Sequence, residues 1–179
     1  MATLNGAEGN DSISGSADAD TINGLGGNDF LAGGSGNDSV AGGTGNDTIY
    51  GDGGNDWIEG GAGNDSLSGG GGQDDIVFRE FGAANADSVG SFDTNWDRIQ
   101  LDVAAFASIG ASGRFASGDV RFYSAAGATS GHDADDRIIY NSSTGQLFYD
   151  ADGNGAGAAQ LVATLQGAPG VAAGDIWAI

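Results

Sequence analysis

A nine-residue period runs without interruption from Gly6 to Val77, and it constrains the fold of this chain more than any other feature. Eight units fit this period, and the clearest read GGSGNDSVA (33–41) and GGTGNDTIY (42–50). In all eight units the first place is Gly and the eighth is aliphatic. A repeat of this kind indicates a solenoid in which consecutive units stack. The sixth place is always aspartate: Asp11, Asp20, Asp29, Asp38, Asp47, Asp56, Asp65 and Asp74.

The pattern within each unit predicts a short strand and a turn. We expect the last three places to form a minimal strand whose central aliphatic side chain faces inward. We expect the first six places to form the turn, because glycine adopts positive φ without strain. Two units then complete one coil, so every second unit stacks on the same edge. The aspartates of alternate units should therefore line the two opposite edges of the roll.

The motif GGxGxDxUx resembles the RTX (repeats-in-toxin) hemolysin-type family of calcium-binding nonapeptides. The resemblance implies a parallel, right-handed β-roll that binds about six interior Ca²⁺ ions between stacked loops. It also implies that each ion is held by two sixth-place aspartates, by the second- and fourth-place carbonyls of one loop, and by the first- and third-place carbonyls of the loop one coil later. Besides the eight aspartates, the candidate ligands are Gly9, Gly24, Gly26, Gly27, Gly33, Gly34, Ser35, Gly36, Gly42, Gly43, Thr44, Gly45, Gly51, Gly53, Gly54, Gly60, Ala62, Gly69 and Gly71.

The charge of the chain agrees with a role in metal binding. Of 25 acidic residues 22 are Asp, and the formal net charge is −20. Carboxylates stacked at about 4.8 Å repel each other by about 0.9 kcal/mol in water, or about 3.5 kcal/mol at an effective dielectric of 20. We therefore expect the repeats to fold only when metal is bound. A flexible acidic linker is the alternative for Gly-Asn-Asp tracts, but the filled aliphatic place in every unit argues against it. The second unit, GSADADTIN, departs most from the motif, and units three to eight fit it best.

Composition excludes several other classes of protein. The chain has five Arg and no Lys, which leaves no basic patch for nucleic acid. It has no Cys, so it contains neither a disulfide framework nor a zinc–thiolate site. We expect no membrane span, since no stretch approaches 18 consecutive apolar residues, and the start MATLNG lacks the basic and apolar regions of a signal peptide.

After Val77 the period stops, and the composition predicts a second, β-rich segment. Alternating polar and apolar residues predict strands at 97–103, 119–123, 137–140 and 146–150, and little helix. The turn at 142–145 predicts a hairpin between the last two strands. The fold class is therefore all-β, with a β-roll over residues 6–77 and a C-terminal cap over residues 78–179.

This second half resembles the segment that follows the repeats in secreted RTX proteases, lipases and alginate epimerases. The similarity lies in D-x-V-x-x-F-D…D-R-I-x-L (87–101) and DDRIIYNSSTGQLFYDADGNG (135–155). The resemblance implies a segment that closes the roll and carries an uncleaved signal for a type I ABC secretion channel. It implies an extracellular location and a signal in the last five residues, Asp175, Ile176, Trp177, Ala178 and Ile179.

A catalytic role is not expected. The one histidine, His132, has no second His and no Cys with which to build a catalytic constellation, and repeats that begin at residue 6 leave no room for a preceding catalytic domain. Two alternatives stay open: the C-terminal tail of a larger secreted enzyme, and a calcium-dependent module that binds acidic polysaccharide, with Trp57 as the stacking residue. Asp150-x-Asp152 begins like an EF-hand loop, but the twelfth place is Leu161 and no flanking helices are predicted. Whether Asp87, Asp97, Asp150 and Asp152 bind accessory calcium is left open.

Overall fold

The computed structural model describes residues 1–179 and is built from strands joined by turns, with two 3₁₀ turns at Ala107–Ile109 and Ala173–Asp175 as its only helical segments. No helix is long and apolar enough to cross a membrane. The strands of the repeat region are β1 (Thr3–Asn5), β2 (Ser12–Ser14), β3 (Thr21–Gly26), β4 (Phe30–Ser35), β5 (Ser39–Thr44), β6 (Thr48–Gly53), β7 (Trp57–Ala62), β8 (Ser66–Gly71) and β9 (Asp75–Phe78). Those that follow are β10 (Asp87–Gly90), β11 (Arg98–Leu101), β12 (Gly113–Arg114), β13 (Phe122–Ala125), β14 (Ile138–Asn141), β15 (Gln146–Tyr149), β16 (Gln160–Leu165) and β17 (Ile176–Ala178).

Consecutive strands of the repeat region alternate between two parallel sheets. One sheet contains β1, β3, β5, β7 and β9, and the other contains β2, β4, β6 and β8. Each strand pairs with the strand two further along the chain, so that Val40 lies beside Ile22 and Ile58, one coil of 18 residues away on either side. The prediction of an all-β fold with a parallel β-roll is confirmed.

The strands of the roll are longer than the three residues predicted. Strands β3 to β8 have six residues, which occupy places seven to nine of one unit and places one to three of the next. Backbone pairing continues into places one to three of the next unit, where the residues stay in register with those of the neighbouring coil, as in Gly43 beside Gly61. Only places four to six are left for the turn, so the prediction of a six-residue turn was wrong.

The inward side chains of the eighth place form the core of the roll. Six of them, from Ile22 to Leu67, are between 0% and 1% exposed, which is full burial. The same hydrophobic cluster continues into the second half through residues such as Phe106, Tyr140 and Val162. The predicted roll and the predicted cap therefore share one core.

Stacking of parallel strands does not end where the sequence period ends. Strand β10 pairs with β8, and β11 pairs with β9, in the same parallel sense as the strands before them. Strands β16 and β17 then add to β10 and β11 respectively. The C-terminal half thus covers the end of both sheets.

Most of the strands predicted in the second half are present. Strands β11 and β15 fall within predicted segments, β14 ends one residue beyond its predicted segment, and β14 and β15 form the expected antiparallel hairpin. The strand predicted at 119–123 begins only at Phe122, because the Asp119 carboxylate accepts hydrogen bonds from the backbone N–H and the guanidinium of Arg121 and so forms a turn.

Candidate metal centre

Two ladders of aspartates run along the edges of the roll, one on each edge, as the alternation of units predicts. In each ladder the backbone N–H of one sixth-place residue donates to the Oδ1 atom of the aspartate one coil later, at 2.7–2.9 Å within the repeats. One ladder contains Asp11, Asp29, Asp47 and Asp65, and the other contains Asp20, Asp38, Asp56 and Asp74.

The second carboxylate oxygen of most ladder residues has no partner in the protein. In each of the third to eighth units the Oδ2 atom of the sixth-place aspartate is buried and accepts no hydrogen bond. These residues are Asp29, Asp38, Asp47, Asp56, Asp65 and Asp74. Their side chains belong to residues that are at most 3% exposed. A buried carboxylate oxygen without a donor is costly, and a cation or a proton relieves that cost.

Backbone carbonyl groups face the same oxygens. The space where Gly33 would carry a Cβ atom lies 2.6 Å from Asp38 Oδ2 and 2.7 Å from the carbonyl oxygen of Gly51, one coil later. The same pairing of an aspartate with a first-place carbonyl recurs at Gly24, Gly42 and Gly51. A side chain at the first place would fill the space onto which these oxygens converge, which explains why glycine occupies it in all eight units.

The other candidate carbonyls also face the gap between coils. Second- and fourth-place carbonyls point forward, since those of Gly43 and Gly45 lie against Gly61 and Gly63 of the next coil. Third-place carbonyls point backward: those of Thr44, Gly53, Ala62 and Gly71 accept hydrogen bonds of 2.8–2.9 Å from the fourth-place N–H one coil earlier. The candidate ligands implied by the resemblance are thus gathered in the gaps between stacked loops, and their role as ligands stays a prediction.

Burial changes the acidity of the ladders. Burial raises the pKa of Asp56 to about 7 and that of Asp65 to about 6, and the charges of neighbouring aspartates add to the effect. Burial also raises the pKa of Asp47 and Asp74. The metal-free folded roll therefore disfavours the charged form of these carboxyl groups, and a divalent cation between them would reverse that preference.

The donor set fits calcium. Every candidate ligand is an oxygen, and the set that the resemblance implies for each gap between repeat loops is two carboxylates and four backbone carbonyls. Ca²⁺ takes six to eight oxygens in a flexible arrangement, whereas Mg²⁺ demands a smaller octahedral shell and keeps several waters. A bound calcium ion would supply positive charge to the unpartnered Oδ2 atoms.

The first two units differ from the rest, as their sequences suggest. Asp20 Oδ2 accepts hydrogen bonds from the backbone N–H and the hydroxyl of Ser16, which lower the pKa of this carboxyl group. Asp11 Oδ2 accepts one from the N–H of Ala7. The N-terminal end of each ladder therefore satisfies its carboxylate from within the protein.

Asp87 and Asp97 extend the two ladders beyond the repeats. The N–H groups of Asp65 and Asp74 donate to their Oδ1 atoms at 2.9 and 3.0 Å, across 22 and 23 residues instead of 18. The broken period leaves the role of these two residues open, although DSV (87–89) and DRI (97–99) reproduce the Asp-x-aliphatic pattern of places six to eight. Burial raises the pKa of Asp87 to about 8.

The remaining acidic candidates use their oxygens within loops. Asp150 Oδ2 accepts a hydrogen bond from Gly131, and Asp152 Oδ2 accepts one from Gly157. His132 lies in a partly exposed loop, where its Nδ1 is 2.8 Å from Asp136 Oδ2 and its ring stacks on Tyr123. Asp136 Oδ2 already accepts the N–H groups of His132 and Asp133, so these carboxylates fix the loop.

The aromatic residues of the roll lie on two faces. Phe30 and Tyr50 are exposed neighbours on one sheet, with ring centroids 5.7 Å apart. Trp57 lies on the other sheet, where the Arg79 guanidinium covers its ring at 5.5 Å.

A polar cleft next to the C-terminal strands brings two arginines and two tryptophans together. It has a volume of about 160 Å³ and is lined by Arg98, Arg114, Trp96 and Trp177 among others. Both guanidinium groups lie over the Trp177 ring, at 5.2 and 6.0 Å, and Trp96 is 60% exposed.

The predicted secretion signal is part of the folded structure. Asp175 ends the second 3₁₀ turn, and Ile176 to Ala178 form β17, which pairs with β11 and β12. Ile176 is fully buried.

Comparison with known proteins identifies the repeats. Residues 5–40, 32–67 and 41–76 match the model of the RTX calcium-binding nonapeptide repeat (four copies). The solution structure of the AlgE6R3 subunit from the Azotobacter vinelandii mannuronan C5-epimerase is similar to the chain at 27% identity, over 96% of this chain and 79% of that one, with a TM-score of 0.48. No curated protein matches the chain significantly. Over residues 5–76 the chain therefore matches the RTX calcium-binding nonapeptide repeat.

Proposed function

We propose that the chain is a secreted module whose β-roll forms when extracellular calcium binds between its coils. The observation that carries this proposal is the set of six buried Oδ2 atoms without a partner, three in each ladder, each in a segment that matches the calcium-binding repeat. About six calcium ions would lower the formal charge from −20 to about −8 and remove the repulsion between stacked carboxylates. Folding and calcium binding are then one event.

Export is the second part of the proposal. Residues 6–77 bind calcium, and residues 78–179 close the roll and carry a signal for a type I channel. The position of the signal supports export before folding, because Ile176 is fully buried and β17 is paired on both sides in the folded protein. A channel can read such a strand only in the unfolded chain, and the low calcium concentration of the cytosol keeps the acidic chain unfolded. The same role applies if the module is attached to a secreted enzyme.

The export proposal is tested in cells that contain a type I secretion channel. We expect the chain to reach the medium, and we expect removal of residues 175–179 to abolish export. The matched control is Ile99→Ala, which removes the buried partner of Ile176 in β11 and leaves residues 175–179 unchanged; we expect this variant to be exported. Export of the truncated chain at the level of the intact chain would refute the signal assignment.

A second candidate function is the binding of acidic polysaccharide, and the cleft of Arg98, Arg114, Trp96 and Trp177 favours it. The chain has only five basic residues, and two of them lie over one tryptophan ring beside a second, exposed tryptophan. Guanidinium groups bind sugar carboxylates, and an exposed aromatic ring offers a surface on which a sugar can stack. This cleft replaces Trp57 as the candidate surface, because Arg79 covers the Trp57 ring.

Retention on an immobilised polyuronate column in calcium tests this second function. We expect retention to be lost in Trp96→Ala and kept in the control Trp57→Ala. Equal retention of both variants, or no retention of the unmodified chain, would eliminate the cleft as a polysaccharide site.

A further inference from the structure

A row of fifth-place amide side chains runs along each edge of the roll, outside the aspartate ladder. On the edge that contains Asp56, here the Asp56 edge, Asn55 N–H donates to Asn37 Oδ1 and Gln73 N–H donates to Asn55 Oδ1, both at 2.9 Å. On the opposite edge, here the Asp47 edge, bonds of the same kind at 2.7–2.9 Å link Asn10, Asn28, Asn46 and Asn64. Each row therefore has one side chain per coil, at a spacing of about 4.8 Å.

These backbone bonds fix the orientation of each amide. Because a backbone N–H can only donate, the side-chain atom that accepts it is the carbonyl oxygen, and the NH₂ group is left over. The NH₂ groups of Asn37 and Asn55 donate to no protein atom, and both residues are exposed. Gln73 Oε1 accepts the Nη2 group of Arg98 at 3.0 Å, and the Gln73 NH₂ group also donates to no protein atom. The Asp56 edge therefore presents a row of free amide donors.

Trp96 occupies the next position of the row on the Asp56 edge. Asp74 N–H donates to Asp97 Oδ1 at 3.0 Å, as Asp56 N–H does to Asp74 Oδ1 one coil earlier, so Asp97 holds a sixth place. Trp96 precedes Asp97 at the fifth place, and its side chain is exposed. The row of amides therefore ends at an aromatic surface on which a sugar ring can stack.

Two cavities join this row to the cleft that contains Arg98 and Arg114. The first cavity has a volume of about 440 Å³ and is lined by Asn55, Gly72, Gln73 and Trp96. The second is the arginine–tryptophan cleft itself, which Gln73 and Trp96 also line. The amide row, the exposed indole and the two guanidinium groups therefore lie along one groove.

We propose that an acidic polysaccharide binds along the Asp56 edge, with about one sugar unit per coil, from the arginine cleft past Trp96 to Asn37. Amide NH₂ groups donate to the hydroxyl and carboxylate oxygens that every unit of a polyuronate contains. The Trp96 indole stacks on a sugar ring, and Arg98 and Arg114 bind a carboxylate. The row from Asn37 to Trp96 has four positions and is about 14 Å long at about 4.8 Å per coil. The ligand is therefore an oligomer of about four units and not a single uronate.

The Asp47 edge ends differently and provides an internal control. Asn64 Oδ1 accepts the N–H of Ala86 at 2.8 Å, so the fifth place that follows Asn64 is an alanine and not a tryptophan. The two edges thus have the same kind of amide row, but only the Asp56 edge leads to an exposed aromatic ring and two arginines.

Calcium would make the Asp56 edge attractive to an anion. The four ladder carboxylates of this edge have a charge of −4, and ions in the three gaps between them would supply +6. The metal-free edge, by contrast, repels a polyanion. The inference therefore rests on the proposed calcium binding and on the proposed polysaccharide binding, and its tests separate the three.

Calorimetry of the unmodified chain with oligogalacturonates of one to six units, in saturating calcium, tests the length of the site. We expect the affinity to rise with each added unit up to about four units and then to level off. An affinity that is the same for one unit and for six would confine binding to the cleft and overturn the extended site. Absence of binding by a chain that circular dichroism shows to be folded in calcium would overturn the polysaccharide function as well. A chain that does not fold in calcium would overturn the calcium proposal itself.

Two variants with the same added charge test which edge binds the ligand. Asn55→Asp keeps the oxygen that accepts the Gln73 N–H and replaces the free NH₂ donor with a carboxylate oxygen. Asn46→Asp makes the same change on the Asp47 edge, where Asn46 Oδ1 accepts the N–H of Asn64. We expect Asn55→Asp to weaken binding of the four-unit oligogalacturonate at least about tenfold and Asn46→Asp no more than about twofold, because only Asn55 faces the ligand. Equal losses in the two variants would refute the proposed edge.

A measurement without any substitution keeps the inference testable if Asn55→Asp does not fold. In a ¹H–¹⁵N spectrum of the calcium-bound unmodified chain, the side-chain NH₂ signals of Asn37 and Asn55 should shift when the four-unit oligogalacturonate is added. The NH₂ signal of Asn46 should not shift. Signals of Asn37 and Asn55 that stay in place while the ligand binds would refute the site along the amide row.

Discussion

Replacing Asp56 with Asn should stabilise the fold of the metal-free protein and weaken calcium binding by the folded roll. Asp56 lies in the middle of its ladder, between Asp38 and Asp74, and is 2% exposed. Asn keeps the side-chain oxygen that accepts the N–H of Asp38 at 2.8 Å, so the backbone ladder is retained. The substitution therefore removes one negative charge and little else.

The size of each effect follows from the surroundings of Asp56. Burial and three neighbouring carboxylates raise its pKa from 3.8 to about 7, which corresponds to about 4 kcal/mol against the ionised form at neutral pH. Solvent screening at the edge of the roll reduces this to about 2 kcal/mol, which the metal-free roll gains in Asp56→Asn. In calcium the same variant loses a charged ligand from two adjacent gaps, and we expect at least a tenfold loss of affinity, about 1.4 kcal/mol, at each.

Two titrations followed by far-UV circular dichroism separate these effects. In chelator, trimethylamine N-oxide drives the metal-free chain to fold, and Asp56→Asn should need less of it than the unmodified chain. In calcium, Asp56→Asn should need a higher ion concentration. The control is Asp11→Asn, at the start of the other ladder, where Ala7 already donates to Oδ2 and both shifts should be smaller. A variant that folds less readily in both titrations would refute the argument that calcium relieves charge repulsion.

Three further perturbations test other parts of the account. The raised pKa values of Asp56 and Asp65 mean that the folded metal-free roll binds more protons than the unfolded chain. The stability of the metal-free roll should therefore be greatest near pH 4 and be lost as the pH rises through about 7. Circular dichroism of calcium-free protein against pH measures this stability, and a roll that gains stability with rising pH would contradict the prediction. Gly54→Ala should destabilise the calcium-bound roll by at least about 2 kcal/mol, because Gly54 has φ +136° and its Cβ would meet the Gly36 carbonyl. In the control Gly53→Ala the nearest neighbour of the new Cβ lies at 3.9 Å, so the free energy of unfolding should change by no more than about 0.5 kcal/mol. Chemical denaturation measures both. Ile58→Ala should lower the free energy of unfolding of the calcium-bound protein by about 2–5 kcal/mol, since Ile58 is fully buried in the core, and a loss below about 1 kcal/mol in the same assay would contradict that packing.

The repeat region could be predicted in detail because its information is local and periodic. The positions of Val40 and Asp38 in one unit fix those of Ile58 and Asp56 in the next coil, since every coil has 18 residues. The length of the strands was not predicted, because glycine has a low strand propensity and the sequence gives no sign that Gly43 continues the pairing.

The end of the roll could not be predicted from the same pattern. Insertions of four and five residues before Asp87 and Asp97 break the period, although both residues enter the ladders. The addition of β17 to β11 joins Ile176 to Ile99 across 77 residues, and such distant pairing leaves no local signal.

The central claim is that calcium and the roll form together, and a calcium titration of metal-free protein tests it most directly. Far-UV circular dichroism follows β-structure while equilibrium dialysis counts the bound ions, and magnesium serves as the control. We predict a cooperative gain of β-structure with at least about six calcium ions bound, and no such gain with magnesium. A metal-free chain that is already folded at neutral pH, and that calcium leaves unchanged, would contradict the account.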